Sequence, residues 1–307
     1  MNVLSLFDGM SCGQLALQRA NIKVDNYYAS EIKKHAIELT QYHFPNTIQL
    51  GDITKLHYKD GVLYGENGTF NVGHIDLLIG GSPCQNFSII NINNMSGLKG
   101  IKSKLFYEYL RLLNEVKPTY FLLENVRMKK EYYKELNHYL GVNGIEINSN
   151  LVSYQNRVRY YWTNIPNVSL PNDKNINFQD YKETDYEICK HYKLNRTPSR
   201  ERMWNDGKGK GGLYSCKNIT YESKILCITR KQDRSPNSGL IEFDGFCRYL
   251  TRKELELGQT LPVGYTNILS YNKAQDLIGD GWTVDVIAHI LSFLNSEEGE
   301  MSCSVKS

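Results

Sequence analysis

One cysteine stands where covalent chemistry could take place. Cys84 follows a proline in Gly80-Gly81-Ser82-Pro83-Cys84-Gln85-Asn86-Phe87-Ser88, just after the apolar run Ile75-Asp76-Leu77-Leu78-Ile79. A short aliphatic run ended by Gly and Pro reads as a fully buried strand of a parallel sheet. The thiol then lies past the strand's carboxyl end, where open α/β sheets collect ligands and chemistry. A free thiol titrates near pH ~8.5, so a nucleophilic Cys84 needs electropositive neighbours or a helix amino terminus. Most buried cysteines are structural. The glycines and proline around this one favour close approach of backbone to a ligand over filling of a core.

The elements that must position Cys84 alternate along the first half of the chain. Strands are predicted over 2–7, 26–30, 48–50, 75–79 and 119–123, and helices over 14–20, 33–43 and 103–116. Alternation of this kind implies an α/β fold with a doubly wound, Rossmann-like, mostly parallel sheet. Asp8, Glu31 and Asp52 then fall at or just beyond strand ends, as does Glu124. A turn with Gly9 and Gly13 after the first strand, and an acid 22 residues past Gly9, suit a nucleoside whose ribose hydroxyls meet the acid. The turn does not spell GxGxxG. Its Asp8 and Ser11 suit a cationic, phosphate-free nucleoside such as S-adenosylmethionine better than a pyrophosphate. A strand predicted over 151–162 would put Arg157 and Arg159 on one face.

With 307 residues, 41% of them hydrophobic, the chain can build one large α/β domain and a smaller one. No segment approaches the ~18 consecutive apolar residues of a membrane helix, and the start lacks a secretory layout. Seven scattered cysteines without CxxC pairs argue for a reducing cytoplasm and against structural zinc. Charge is unevenly spread. Between His191 and Arg234 eleven Lys and Arg stand against four Asp and Glu, an excess of seven in a chain of net +3, so the remainder carries −4. Trp204, Tyr214, Tyr221 and the glycines of 207–212 interleave with these cations. That makeup fits a phosphate-gripping surface and makes DNA or RNA the leading partner.

Leu6-Phe7-Asp8-Gly9, Ser30-Glu31, Gly51-Asp52-Ile53, Gly81-Ser82-Pro83-Cys84, Glu124-Asn125-Val126, Gln155-Asn156-Arg157-Val158-Arg159-Tyr160 and Arg248-Tyr249-Leu250-Thr251, with Gly279 onward, follow one another in this order. The series resembles the motifs of the DNA cytosine-5 methyltransferases and spans nearly the whole chain. The run from Phe7 to Gly13, and Gly281-Trp282-Thr283-Val284, depart from the common bacterial forms and are closer to the animal de novo enzymes. Asp280 stands where the bacterial motif has Asn.

The resemblance implies a class I methyltransferase fold with a catalytic domain over 1–165, a small target recognition domain over 166–247, and a return segment over 248–307 whose last helix completes the catalytic domain. It implies S-adenosylmethionine as cofactor, S-adenosylhomocysteine as product, and double-stranded DNA as substrate of a metal-free, cytoplasmic, bacterial or phage-encoded monomer. C5 of cytosine is a poor nucleophile until a thiolate adds at C6. By resemblance Cys84 is that thiolate, Glu124 serves N3 and the exocyclic amine, Arg159 contacts O2, and Arg157 supports the nucleophile loop. Phe7, Asp8, Gly9, Met10, Glu31, Ile32, Asp52, Ile53, Pro83, Leu105, Gly281, Trp282 and Thr283 would hold the cofactor. The loop over 85–102 would close over a base flipped out of the duplex. Two alternatives stay open: methylation of RNA, although the Cys-Phe-Thr stretch of that branch is absent, and a catalytically inactive DNA-binding relative, although Pro-Cys and Glu-Asn-Val are intact. A nicotinamide oxidoreductase is disfavoured by the missing GxGxxG.

Overall fold

The computed structural model describes residues 1–82, 104–195, 198, 217–233 and 237–295. Among them the strands are β1 (Asn2–Leu6), β2 (Asn26–Ser30), β3 (Ile48–Gln49), β4 (His57–Lys59), β5 (Val62–Gly65), β6 (Gly68–Asn71), β7 (Leu77–Gly81), β8 (Tyr120–Val126), β9 (Ile145–Asn148), β10 (Val158–Thr163), β11 (Ile241–Phe243) and β12 (Phe246–Arg248). The helices are α1 (Cys12–Arg19), α2 (Lys34–His43), α3 (Lys104–Val116), α4 (Lys130–Leu140), α5 (Tyr186–His191), α6 (Arg252–Gly258), α7 (Tyr271–Asp280) and α8 (Val284–Ser292).

Seven strands form one sheet in the order β3-β2-β1-β7-β8-β10-β9. β3, β2, β1, β7 and β8 run parallel, and β10 returns antiparallel beside β8. The central strands are buried along almost their whole length, as strands covered by helices on both faces must be. Leu4, Leu6, Leu78 and Leu123 of the sheet share one core with Phe106, Tyr109 and Leu112 of α3 and Leu136 of α4. The mostly parallel sheet is the one expected. The strand predicted over 75–79 instead runs Leu77–Gly81, and that over 119–123 extends to Val126, so Glu124 sits inside its strand.

The strand expected over 151–162 is only half present. Residues 148–157 close into a loop instead: Asn148 Oδ1 accepts from Asn150 N and Arg157 N, Ser149 N donates to Arg157 O, and Gln155 pairs with Ile225. Asparagine competes for local backbone amides and ends the pleat there. Sequence periodicity also missed the β4-β5-β6 meander, an antiparallel three-stranded sheet of its own.

The chain divides into two compact units. One takes Met1–Ile147, Val158–Leu170 and the chain from Ile287, and holds the large sheet. The other takes Asn148–Arg157 and Pro171–Val286. In this second unit the Arg248-Tyr249-Leu250-Thr251 run is structural. Thr251 caps α6 in a capping box with Glu254, and Glu254 forms a fully buried, two-pronged pair with Arg248 at 2.8 and 2.9 Å. Val284, Ile287, Ile290, Leu291 and Leu294, expected along one helical face, are all buried.

Candidate active site

β7 brings the chain to the segment that carries Cys84. Gly81, its last residue, lies in register with Glu124 of β8, and Asn125 Nδ2 donates to Ser82 Oγ at 3.0 Å. The side chain after Glu124 thus ties down the residue two before Cys84. Pro83 and Cys84 themselves lie outside the described residues.

Glu124 is flanked by Gly81 on one side and Tyr161 of β10 on the other. Its carboxylate takes Arg159 Nε at 2.9 Å, with the two side chains only 11% and 14% exposed. A carboxylate and a guanidinium so nearly buried are each costly alone, so each fixes the other's position. The pair offers a donor and an acceptor side by side, on the strand next to the last residue of β7.

Arg157 is not Arg159's companion on a strand face. It precedes β10, is 4% exposed, and donates to Ile228 O at 3.1 Å, Gly281 O at 2.9 Å and Gly279 O at 3.3 and 3.4 Å. The two arginines do not alternate along one strand, because the pleat starts only at Val158. Arg157 holds backbone of its own unit. No atom can replace the hydrogen at Gly279, where a Cβ would stand 2.3 Å from Thr229 C and Arg230 N.

The loop after β1 is drawn tight. Phe7, Gly9 and Ser11 all have positive φ, near 60°, a conformation that costs about 1–3 kcal/mol at each non-glycine. Side chains impose it. Asp8 accepts from Ser5 Oγ and Tyr27 OH at 2.7 Å each and from Ser11 Oγ. Burial pushes the Asp8 carboxyl above the usual aspartate range, against the pull of those three hydroxyls, and the nearby Glu31 charge pushes the same way. Burial, and then the Asp8 charge, raise the Tyr27 phenol well above its ordinary value.

Glu31 accepts from Gly9 N, Ile32 N and Lys33 N, each at 2.8 Å, which fastens the loop to the end of β2. Ser30 Oγ donates to Gly51 O at 2.7 Å, so the residues that follow, Glu31 and Asp52, leave neighbouring strand ends. Asp52 Oδ1 caps a short 3-10 turn through Thr54 N at 2.9 Å. Ile32 is 68% exposed, whereas Ile53 and Met10 are buried, and Phe7 and Leu105 pack half-buried against the core.

A family model described as C-5 cytosine-specific DNA methylase matches residues 1–295. The chain belongs to that family. Among curated relatives, the chain is 31% identical over 129 residues to the orphan methyltransferase M.Rho11sI of Bacillus phage rho11s, covering 41% of the chain and 23% of the relative. It is 36% identical over 121 residues to the DNA (cytosine-5)-methyltransferase DRM2 of Arabidopsis thaliana, covering 38% and 19%. With the type II methyltransferase M.NgoBV of Neisseria gonorrhoeae it shares 31% over 127 residues, covering 40% and 27%. The matched stretches thus span about a quarter of these relatives' own length. Among solved structures, the S. pombe Dnmt2 methyltransferase has a TM-score of 0.71 at 18% identity, covering 97% of this chain and 99% of that one. A putative DNA modification methyltransferase encoded within an E. coli prophage has a TM-score of 0.56 at 19%, covering 96% and 99%. These two likenesses show the fold, that of a methyltransferase.

The remaining residues singled out from sequence fall in the second unit. Thr283 Oγ1 donates to Gln259 Oε1 at 2.7 Å and lies 2.8 Å from Ser149 Oγ. Gly281 O takes Gln259 Nε2 at 3.0 Å besides Arg157, and Trp282 is half-buried between them in sequence. Tyr27, which locks Asp8, and Asn125, which holds Ser82, gave no signal of these roles in the sequence, because each partner is brought close only by strand pairing.

Proposed function

We propose that this methylase transfers a methyl group from S-adenosylmethionine to C5 of a cytosine flipped out of duplex DNA. The observation that carries the reading is the Glu124–Arg159 pair beside Gly81, three residues before Cys84. The Cys84 thiolate adds to C6 of the ring, and the electron pair moves toward N3 and O2. Glu124 shares a proton with N3 and accepts from the exocyclic amine, and Arg159 donates toward O2, so the charge that develops meets groups already in place. The activated C5 takes the methyl group with the electron pair of its enamine; water then takes the C5 proton, and the electron pair left behind expels Cys84.

The chain's residues fit the cofactor. Exposed Ile32 offers an apolar face to a purine, Glu31 an acceptor to ribose hydroxyls, and Asp52 an acceptor to an amine at the next strand end. Backbone of Phe7 to Met10, the Leu105 side chain and the segment from Gly281 to Thr283 complete the assignment by family motif. S-adenosylmethionine, when bound, supplies an electrophilic methyl and leaves as S-adenosylhomocysteine. Acidic side chains in place of a phosphate cradle suit its positive charge. DNA is favoured as substrate by relatives named as DNA (cytosine-5)-methyltransferases and by the basic block between His191 and Arg234.

Duplex DNA and labelled S-adenosylmethionine, followed by bisulfite sequencing, test the reading and give the recognised sequence. Transfer to RNA and not to DNA would overturn the substrate assignment. DNA carrying 5-fluorocytosine should trap a covalent adduct, because fluorine cannot leave as the proton does. An adduct that persists in Cys84→Ala would show the nucleophile to be another residue.

A further inference from the structure

The β4-β5-β6 meander stands in sequence between Asp52 and the strand that leads to Cys84. Its tip is the turn Glu66-Asn67 between Gly65 and Gly68. The tip is turned onto the end of β3. Glu66 N donates to Leu50 O at 3.0 Å and Asn67 Nδ2 to Gln49 O at 3.1 Å. Asp52 N in turn donates to Glu66 Oε2 at 3.3 Å.

Two further observations show how close this grip is. Gly51 has φ +84°, and a Cβ there would lie 2.9 Å from both Cβ and Oε2 of Glu66, so Gly51 is required by conformation and by its neighbour alike. Lys55 Nζ donates to Glu66 Oε1 at 2.5 Å. That bond chiefly, with the Asp52 amide second, holds the Glu66 carboxyl below the ordinary glutamate range. The glutamate is therefore an anion matched by its own lysine. Asp52 Oδ1 is taken by Thr54 N, and no donor among the described residues reaches Oδ2.

We propose that Glu66 is a positioning residue for the cofactor's base: by holding the Asp52 amide it sets where the Asp52 carboxylate meets the exocyclic amine of adenine. This rests on the assignment of Asp52 to the purine made above. An amine facing a carboxylate donates to it; the carbonyl of hypoxanthine in the same place would oppose it, as two acceptors do. A site built around one hydrogen-bonding group rejects the analogue that lacks it. Glu66 thus sharpens the choice of base without touching it.

The test is calorimetric titration of the full chain with S-adenosylhomocysteine and with its analogue carrying hypoxanthine in place of adenine. Glu66→Ala, and Glu66→Asp, which keeps charge and turn but loses reach, should raise Kd for the adenine ligand about tenfold, as loss of one well-placed polar contact does. Kd for the hypoxanthine ligand should stay unchanged. Glu66→Gln keeps an acceptor for the Asp52 amide and should stay within about threefold of the parent chain for both ligands. Equal weakening of both ligands would reveal a merely structural role and overturn the proposal, as would unchanged binding of both. Asp52→Ala separates the two claims. If it leaves both ligands unaffected, the purine does not meet Asp52 and the cofactor assignment fails with the proposal. If it abolishes the preference for adenine while the Glu66 variants keep it, only the positioning role fails.

Discussion

Arg157 and Arg159 are two residues apart and do different work. Arg159 pairs with Glu124, whereas Arg157 donates to the carbonyls of Ile228, Gly279 and Gly281. Arg159→Met and Glu124→Gln should each lower kcat by about 10²–10⁴, the usual worth of a positioned acid–base group, and should move the thermal midpoint little. Arg157→Met should do the reverse in order of severity. It strands buried carbonyls and costs about 2–4 kcal/mol in denaturant unfolding, with Arg157→Lys recovering only part, because an ammonium lacks the guanidinium's fork. Asp8 carries a pH signature. Its carboxyl is raised in the folded chain, so its contribution to stability is complete below the ordinary aspartate value of about 3.9 and is lost as pH rises through the raised value. Asp8→Asn should flatten the rise and fall of thermal midpoint with pH across that window and leave the chain relatively more stable at neutral pH. A parallel loss of stability with pH in the variant would exclude Asp8 as the source.

At the scale of elements, the strand ends do the placing. β1, β2, β3 and β7 are parallel neighbours, and each delivers its polar residues as the pleat stops: Asp8, Glu31, Asp52 and the run to Cys84. β8 differs in carrying Glu124 within its length, where β10 on the other side supplies Arg159 one pleat away. The meander is held to α3 as well as to β3. Arg111 donates to Ile53 O and Leu56 O and pairs with Glu115 at 2.6 Å, and Glu115 accepts Tyr58 N at 2.9 Å. Gly51→Ala sets a side chain against Glu66 in a left-handed position, and should cost more than the ~1 kcal/mol typical of a point substitution. Chemical denaturation would measure it, and a neutral result would mean that the hairpin tip yields freely.

At the scale of the whole molecule, charge is divided along the chain: the stretch from His191 to Arg234 carries +7 and the remainder −4. Polyanion affinity should therefore fall steeply with salt. Replacing Lys208 and Lys210, which lie outside the described residues, by Gln should reduce the slope of log K against log salt by up to about 0.9 for each lost phosphate contact. An unchanged slope would show that neither lysine contacts the polyanion's phosphates. The sequence by itself determined the α/β class, the order of the parallel strands' polar ends, the Pro-Cys and Glu-Asn-Val runs and the buried face of α8, because burial periodicity, turn chemistry and motif order are local properties of the chain. The partners of those residues were decided only by tertiary structure. Asp8 with Tyr27, Asn125 with Ser82, Glu66 with Asp52, and Arg157 with Gly281 are contacts between segments 14 to 124 residues apart. Spacing along a strand says which way a side chain points only where the strand exists, and between Asn148 and Arg157 local hydrogen bonds had already broken it.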